Sequence, residues 1–209
     1  MRIFAALGSL ALAGCSVVGV RSGTEEPAYE VVAEAGAYEV RRYGARAAAD
    51  TVVAADGEES ARNQGFRRLA GYIFGGNRAD EKIEMTAPVE QARGEEIAMT
   101  APVAQAEAEG GGWRIRFFLP SGYTAETAPR PVDPQVEIVA LPPETLAVRQ
   151  FSGSRSAEAV AGETQALLDA LEDGPWRPAG APVAWFYDPP WTVPAFRRNE
   201  IAVPVDRRE

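Results

Sequence analysis

Two heptapeptides fourteen positions apart carry nearly the same residues, Ile83-Glu-Met-Thr-Ala-Pro-Val89 and Ile97-Ala-Met-Thr-Ala-Pro-Val103. Each supplies one thioether, a soft side chain that packs well against an apolar surface. Lys82, just before the first copy, is the only lysine beside twenty arginines, and Cys15 is the only thiol. There is no histidine at all. Ser-His-Asp and Cys-His machinery, His-ligated zinc and a proximal-histidine haem site are therefore closed. One cysteine also excludes an intramolecular disulfide, a CxxC redox pair and an iron–sulfur cluster. The acidic pairs Glu58-Glu59 and Glu95-Glu96 have no sequence partner that would make an acid–base couple, so they read as solvated. No catalytic group is assigned and no enzymatic reaction is expected.

The chain that must position these residues has 209 of them, 46% hydrophobic and 24% charged. A domain of this size buries roughly 70% of the surface its unfolded chain exposes, enough for a core without staples. No GxxxxGK[ST] phosphate loop occurs, and no GxGxxG follows a strand. A net charge of −9 discourages a nucleic-acid partner.

Met1-Arg2 is followed by an apolar run from Ile3 to Ala13, too short to span a bilayer as a helix, which reads as a secretory signal. Leu12-Ala13-Gly14-Cys15 resembles a bacterial lipobox, which implies cleavage before Cys15 and lipidation of its sulfur and new amino group. Several acyl chains anchor firmly, at about 0.8 kcal/mol per buried methylene. The expected division is a lipoprotein signal peptide over 1–14, a lipid-anchored tether over 15–28 and a folded domain over 29–205. Ser16 after the cysteine resembles outer-membrane delivery, so the expected location is the bacterial envelope, on an outer-membrane lipoprotein facing the periplasm.

Within the domain, Tyr38-Glu-Val-Arg-Arg-Tyr43 alternates as a strand and Ala47 to Ala54 continues as a second β-prone run. Asp56 with Glu59 resembles a capping box. Behind it Phe66, Leu69, Ala70 and Ile73 fall at helical spacing until Gly75-Gly76 ends the pattern. Strand periodicity puts Ile83, Met85, Ala87 and Val89 on one face, and Ile97, Met99, Ala101 and Val103 on one face of the second copy. Pro88 and Pro102 force these strands to bulge or lie at an edge. A loop over 104–112 leads to a strand from Trp113 to Leu119, and a Pro-rich link over 124–134 leads to strands at 136–141 and 146–151. A second helix runs from about Ser156 to Asp173 with Val160, Thr164, Leu167, Leu168 and Leu171 inward. Val183 to Tyr187 and Asn199 to Val205 complete the strands.

Tyr38–Tyr43, a helix and Ile83–Val89 parallel Leu146–Phe151, a helix and Asn199–Val205. The expected fold class is therefore α+β, a distorted antiparallel β-barrel of two pseudo-symmetric repeats flanked by two α-helices.

Tyr38-Glu-Val-Arg-Arg-Tyr43, Tyr72-Ile-Phe-Gly-Gly-Asn77, Lys82-Ile-Glu-Met-Thr-Ala-Pro-Val89 with its second copy, Trp113-Arg-Ile-Arg-Phe-Phe-Leu-Pro-Ser121, Tyr187-Asp-Pro-Pro190 and Arg197-Arg-Asn-Glu200 together resemble the SOUL haem-binding family. The resemblance covers residues 29 to 205. It implies non-covalent binding of haem or another tetrapyrrole, with or without a strong axial ligand, on an apolar helix face; the alternatives are a binding module for another amphipathic ligand and, less favoured, an enzyme acting on the tetrapyrrole. Mapped onto this chain, that face comprises Asn63, Phe66, Ala70 and Ile73, with Met85 on the adjoining strand and Trp191 at a pocket rim or pinning its turn. Arg67, with Arg62 and Arg68, is the candidate partner for the propionates. An axial ligand would be Met85, Met99, Tyr72, Tyr187 or Lys82. A helix on a sheet must bury some face, so Phe66, Leu69, Ala70 and Ile73 suit a core as well as a groove. Burying about 300 Å² of porphyrin at about 25 cal/mol/Å² contributes roughly 7 to 8 kcal/mol before association costs, which sets the affinity at micromolar or weaker.

Overall fold

The computed structural model describes residues 24–78 and 95–209. In chain order these form β1 (Tyr29–Glu34), β2 (Glu39–Tyr43), β3 (Arg46–Val53), α1 (Glu58–Ile73), β4 (Asn77–Arg78), β5 (Val103–Glu107), β6 (Trp113–Phe118), β7 (Arg130–Pro131), β8 (Glu137–Leu141), β9 (Glu144–Phe151), α2 (Ala157–Glu172), β10 (Trp176–Pro178), β11 (Val183–Phe186) and β12 (Asn199–Arg207). The segment with Cys15, and the first heptapeptide with Lys82 and Met85, lie outside the described residues.

One curled sheet runs β1-β2-β9-β12-β11-β5-β6-β3-β8, every pairing antiparallel; β10 adds to the end of β12, and β4 pairs β7 separately. The order reads alike from both sides: β2-β9-β12-β11 mirrors β8-β3-β6-β5. Each half is built as strand, helix and two strands, β3-α1-β5-β6 and β9-α2-β11-β12. This is the α+β distorted barrel of two pseudo-symmetric repeats. The repeat has a different register from the one expected, however. The counterpart of β9 is β3, and the Tyr38–Tyr43 strand is instead β9's neighbour, with Val40 opposite Ala147. Alternation tells which face a residue takes but not which strand lies beside it.

α1 rests on β3 and β6, and α2 on β9, β10 and β12. The two central strands, β5 and β11, lie between the helices as the floor of a valley. On the helix side, Leu69, Tyr72, Ile73, Ile97, Ile115 and Phe117 form a core under α1. Leu167, Leu171, Ala184, Phe186, Ile201 and Val203 form one under α2. On the opposite, concave side, Tyr43, Phe118, Leu146, Val148 and Trp185 make a third core, where the ring of Trp185 meets Tyr43 and Phe118 edge-on at 5.7 and 5.9 Å.

Three local expectations are corrected. Gly57, not Asp56, is the N-cap of α1, and no side chain caps it; α2 has Ser156 as its N-cap, with Oγ accepting from the Ala159 amide. The second heptapeptide is not a strand: only after Pro102 does β5 begin, taking the first half of the expected 104–112 loop. Proline has no N–H to give a ladder, so the pairing starts at the next residue. Finally, the buried face of α1 is Ala61, Arg62, Gly65, Leu69, Tyr72 and Ile73. It is rotated from the expected stripe because Gly65 lets the helix backbone approach Ile115. A Cβ on Gly65 would stand 2.4 Å from Ile115 Cγ1.

Candidate functional site

That rotation decides which of the expected site residues are open to solvent. Ile73, 1% exposed, belongs to the core under α1 and lines no groove. Phe66 is 38% exposed, and its outward ring leans edge-on against Phe117 at 5.2 Å. Asn63 and Arg67 are exposed, and Ala70 is half-buried. Phe74, just past the helix, is 61% exposed. The open flank thus carries Phe66, Ala70 and Phe74 at four-residue intervals, with Asn63 and Arg67 beside them. Arg68 is occupied elsewhere, donating to Thr51 Oγ1 at 2.7 Å and facing Asp133 at 3.6 Å.

Arg62, one turn before Phe66, turns into the valley. Its guanidinium lies 4.8 Å from the centre of the Phe186 ring and donates to Gln105 Oε1 at 3.0 Å. From the other side Arg155, just ahead of α2, reaches the same ring at 5.7 Å and donates to the Asp188 carbonyl at 3.0 Å. Cross-strand register places Phe186 opposite Val103, and Val103 opposite Phe117. A continuous row of apolar side chains therefore runs from Phe186 to the ring under Phe66. Trp191, 65% exposed, stands on the turn after Pro189-Pro190. Arg197 pins that turn by donating Nε to the Thr192 carbonyl and Nη2 to the Pro190 carbonyl, each at 2.8 Å. Trp191 thus sits on a fixed turn.

Positive charge gathers in the valley and is opposed by Glu58 and Glu59 at the start of α1 and by Asp188. Arg155 is pushed down to about 10, by burial first and then by the positive charges of Arg62 and Arg197. Burial also lowers Arg62. A guanidinium that holds its proton less tightly folded than unfolded works against folding while charged. For Arg155 that cost is fully present below pH about 10 and fades as pH rises above it.

The concave side is arranged oppositely. Glu200, fully buried, accepts from Arg41 Nη1 at 3.0 Å, Arg198 Nη2 at 2.9 Å and the Tyr187 hydroxyl at 2.7 Å. Burial and Glu200 raise Tyr187, which keeps its proton and remains a donor. Arg46 pairs with Glu144 and stacks over Tyr43 at 4.4 Å. A cavity of about 590 Å³ at the β8 rim is lined by Asp50, Arg114, Arg116 and Glu137 with Val139 and Leu141. Asp50 and Arg116 already form a two-pronged pair there, both contacts at 2.7 Å. Such a charged lining suits water or a small polar molecule better than an apolar macrocycle.

Few of the proposed iron ligands face the α1 flank. Tyr72 donates to the Pro129 carbonyl at 2.9 Å inside the core, and Tyr187 is committed to Glu200. Met99 is 41% exposed on the segment that follows the Ile97 amide's bond to Ile73 O beside the end of α1. Among the described residues no acidic or thiol cluster suited to a bare metal ion occurs. The flank presents exposed apolar surface at Phe66 and Phe74, and Met99 is an exposed sulfur among the described residues. Sequence reasoning missed Arg155, Gln105 and Phe186 as neighbours of this flank. The signal for them is topological, because only the β5–β11 pairing brings them together.

Comparison with known proteins agrees with this architecture. The model of the SOUL heme-binding protein family matches residues 24–204, and the chain belongs to that family. Heme-binding protein 2 of Homo sapiens is 29% identical over 170 residues, 77% of either chain. Heme-binding protein 2 of Mus musculus is 37% identical over 81 residues, a match that spans 40% of its length and 34% of this chain. Among solved structures, the EcmrR C-terminal domain superposes with a TM-score of 0.55 at 10% identity, covering 86% of this chain and 98% of that one. A hydrolase from Listeria innocua superposes with a TM-score of 0.50 at 10% identity, covering 80% of this chain and 91% of the other. Those two likenesses concern the fold alone.

Proposed function

We propose that this protein reversibly binds haem or a related tetrapyrrole on the open flank of α1, as a buffer, carrier or sensor and without transforming it. One observation carries the reading: Phe66, an aromatic ring in the middle of the helix, is turned away from the core toward solvent beside Ala70 and Phe74. Family membership supports the ligand class. A flat macrocycle covering this flank and the Phe117–Val103 row gains stabilisation by apolar contact.

Titration of the purified protein with hemin is expected to shift the Soret band with a micromolar midpoint. Phe66→Asp, which replaces the central ring by a charge on a surface position, is expected to weaken binding at least tenfold while leaving the fold intact. An unshifted spectrum in the wild type, or equal affinity in Phe66→Asp, rules this site out. Met99→Ala separates haem from an amphipathic ligand bound without iron. An unchanged ferric spectrum, together with iron-free protoporphyrin binding as tightly as hemin, favours the second reading.

The lipobox at Leu12-Ala13-Gly14-Cys15 supports a lipid-anchored protein facing the periplasm from the outer membrane. Metabolic labelling with a fatty acid in a bacterial host is expected to tag the wild type and not Cys15→Ser. Label on both would remove the anchor from the proposal.

A further inference from the structure

The turn between β11 and β12 presents an apolar surface to water. From Pro189 to Phe196 the chain carries no charge, and its one polar side chain, Thr192, is buried. Every exposed residue of the segment is apolar: Pro190, Trp191, Val193, Pro194, Ala195 and Phe196. The large ones stand well out, with Trp191 65%, Val193 41% and Phe196 54% exposed. Apolar side chains scattered singly over a surface are ordinary, but a contiguous patch marks a contact.

The backbone of the same segment is largely satisfied from within. Pro189, Pro190 and Pro194 have no N–H to solvate. The Thr192 amide donates to the Pro189 carbonyl at 3.2 Å, and the Phe196 amide to the Val193 carbonyl at 2.9 Å. Arg197 donates to the Pro190 and Thr192 carbonyls, and the Gly153 amide to the Pro194 carbonyl at 2.9 Å. A segment that leaves water must meet its own backbone groups, because a bare N–H or C=O is heavily penalised in an apolar medium. The turn is therefore built with its polar groups inward and its oily side chains outward.

The N-terminal segment joins the fold at the base of this turn. Glu26 pairs with Arg198 at 3.0 Å, and the Arg198 amide donates to Asp188 Oδ2 at 2.7 Å. The two residues that bracket the turn are thus tied to each other and to the entering chain. The Glu25 carbonyl accepts from the Ala101 amide at 3.0 Å, on the segment leading into β5, whose first residue lies opposite the last of β11. Cys15 precedes Thr24 by only nine positions, a span of at most about 32 Å when fully extended. A lipid on Cys15 would hold this end of the sheet close to the bilayer.

We propose that the Trp191–Phe196 turn is a docking wedge that seats the domain on a phospholipid bilayer, with its side chains at the boundary of headgroups and acyl chains. The inference rests on the reading of Cys15 as the lipid-bearing residue. Tryptophan suits that boundary, where one edge of the ring is apolar and the other wet. The tether makes the second contact intramolecular, so a patch too small to hold a bilayer by itself suffices once the anchor is in place. Tether and wedge together fix which way the domain faces, whereas a tether alone leaves it free to turn.

The test reconstitutes the full lipidated protein in vesicles of phosphatidylethanolamine and phosphatidylglycerol, part of the lipid carrying bromine high on its acyl chains, and reads tryptophan quenching. The four tryptophans are well separated for this purpose. Trp185 lies in the concave core, while Trp113 begins β6 and Trp176 pairs with Arg207 near the end of β12, both at the opposite end of the sheet. Brominated lipid is expected to quench a component of the wild-type emission that Trp191→Phe lacks. Val193→Ser combined with Phe196→Ser, both at exposed positions, should reduce that component at least twofold at an unchanged Tm. Flotation with the vesicles reads the anchor separately. Wild type that floats without quenching, or with equal quenching in Trp191→Phe, overturns the wedge and leaves the anchor standing. Wild type that neither floats nor is quenched removes both. Quenching of Cys15→Ser as strong as that of the wild type keeps the wedge and shows that it docks without the anchor. A dimer of Cys15→Ser in solution that Val193→Ser and Phe196→Ser abolish assigns the patch to a second copy of the chain and overturns the proposal.

Discussion

Glu200→Ala is expected to destabilise the protein by about 3 to 4 kcal/mol, because it leaves two arginines desolvated around an empty centre. Glu200 is the shared acceptor of Arg41, Arg198 and Tyr187. Arg198 is stacked 3.9 Å from the Tyr187 ring centre and Arg41 4.5 Å from that of Tyr29, so neither swings away readily. Two secondary carboxylates soften the loss: Arg41 retains Glu39 at 2.8 Å, and Arg198 retains Glu26 at 3.0 Å. Those partners are more exposed, which is why the cost should fall at the lower end of the roughly 3 to 5 kcal/mol typical of broken buried pairs. Glu200→Gln keeps the shape and one acceptor, and should cost about half as much. At about 2 to 4 °C per kcal/mol for a chain of this size, Glu200→Ala should melt roughly 6 to 16 °C lower. Urea denaturation is the direct measurement. Midpoints within error of the wild type for both variants would mean that the network contributes no net stability and serves only to fix the concave face.

Leu69→Ala is the second large effect. Leu69 is fully buried between α1 and the β3–β6 floor with Ile73, Ile115 and Phe117. Leucine-to-alanine changes in cores cost about 2 to 5 kcal/mol, and the spread reflects how far the surroundings collapse into the void. Here collapse is blocked. Gly65, one turn earlier, already brings the helix backbone against Ile115, so α1 cannot descend further. The expected cost is therefore in the upper half, about 3 to 5 kcal/mol, read from chemical denaturation at unchanged slope. A cost below about 2 kcal/mol would show that the helix shifts along the sheet instead. Since Phe66 lies three residues from Leu69 on the outward flank, hemin affinity of the folded fraction should change little.

These two positions show what the chain declares in advance and what it withholds. Phe66, Leu69, Ala70 and Ile73 announce a helix by spacing. The second helix is expected from about Ser156 and strands at 113–119 and 146–151, and α2, β6 and β9 lie there. The family motifs carry the architecture as well. Spacing alone did not reveal that Gly65 would rotate α1 so that Phe66 faces solvent and Ile73 the core. A stripe of four apolar residues is wide enough to be cut in two ways, and the contact that decides is with Ile115, fifty residues away. The Arg62–Arg155 pair was equally hidden, because its members are joined only through the β5–β11 ladder. Arg197-Arg-Asn-Glu200 was legible as a motif but not as a division of labour. In the fold Asn199 serves the helix side, and Arg198 and Glu200 the concave side.

The ladder between β5 and β11 joins the halves through three residue pairs, Gln105–Ala184, Ala104–Trp185 and Val103–Phe186, whereas β3–β6 and β9–β12 within the halves each have six. The middle of the molecule is thus its thinnest joint, and amide exchange should be fastest there among the central strands. A guest lying on the Phe66 flank and reaching across that joint would fasten the halves like a clasp. Its occupancy should be read out as slowed exchange at Ala104 and Trp185, far from either helix end.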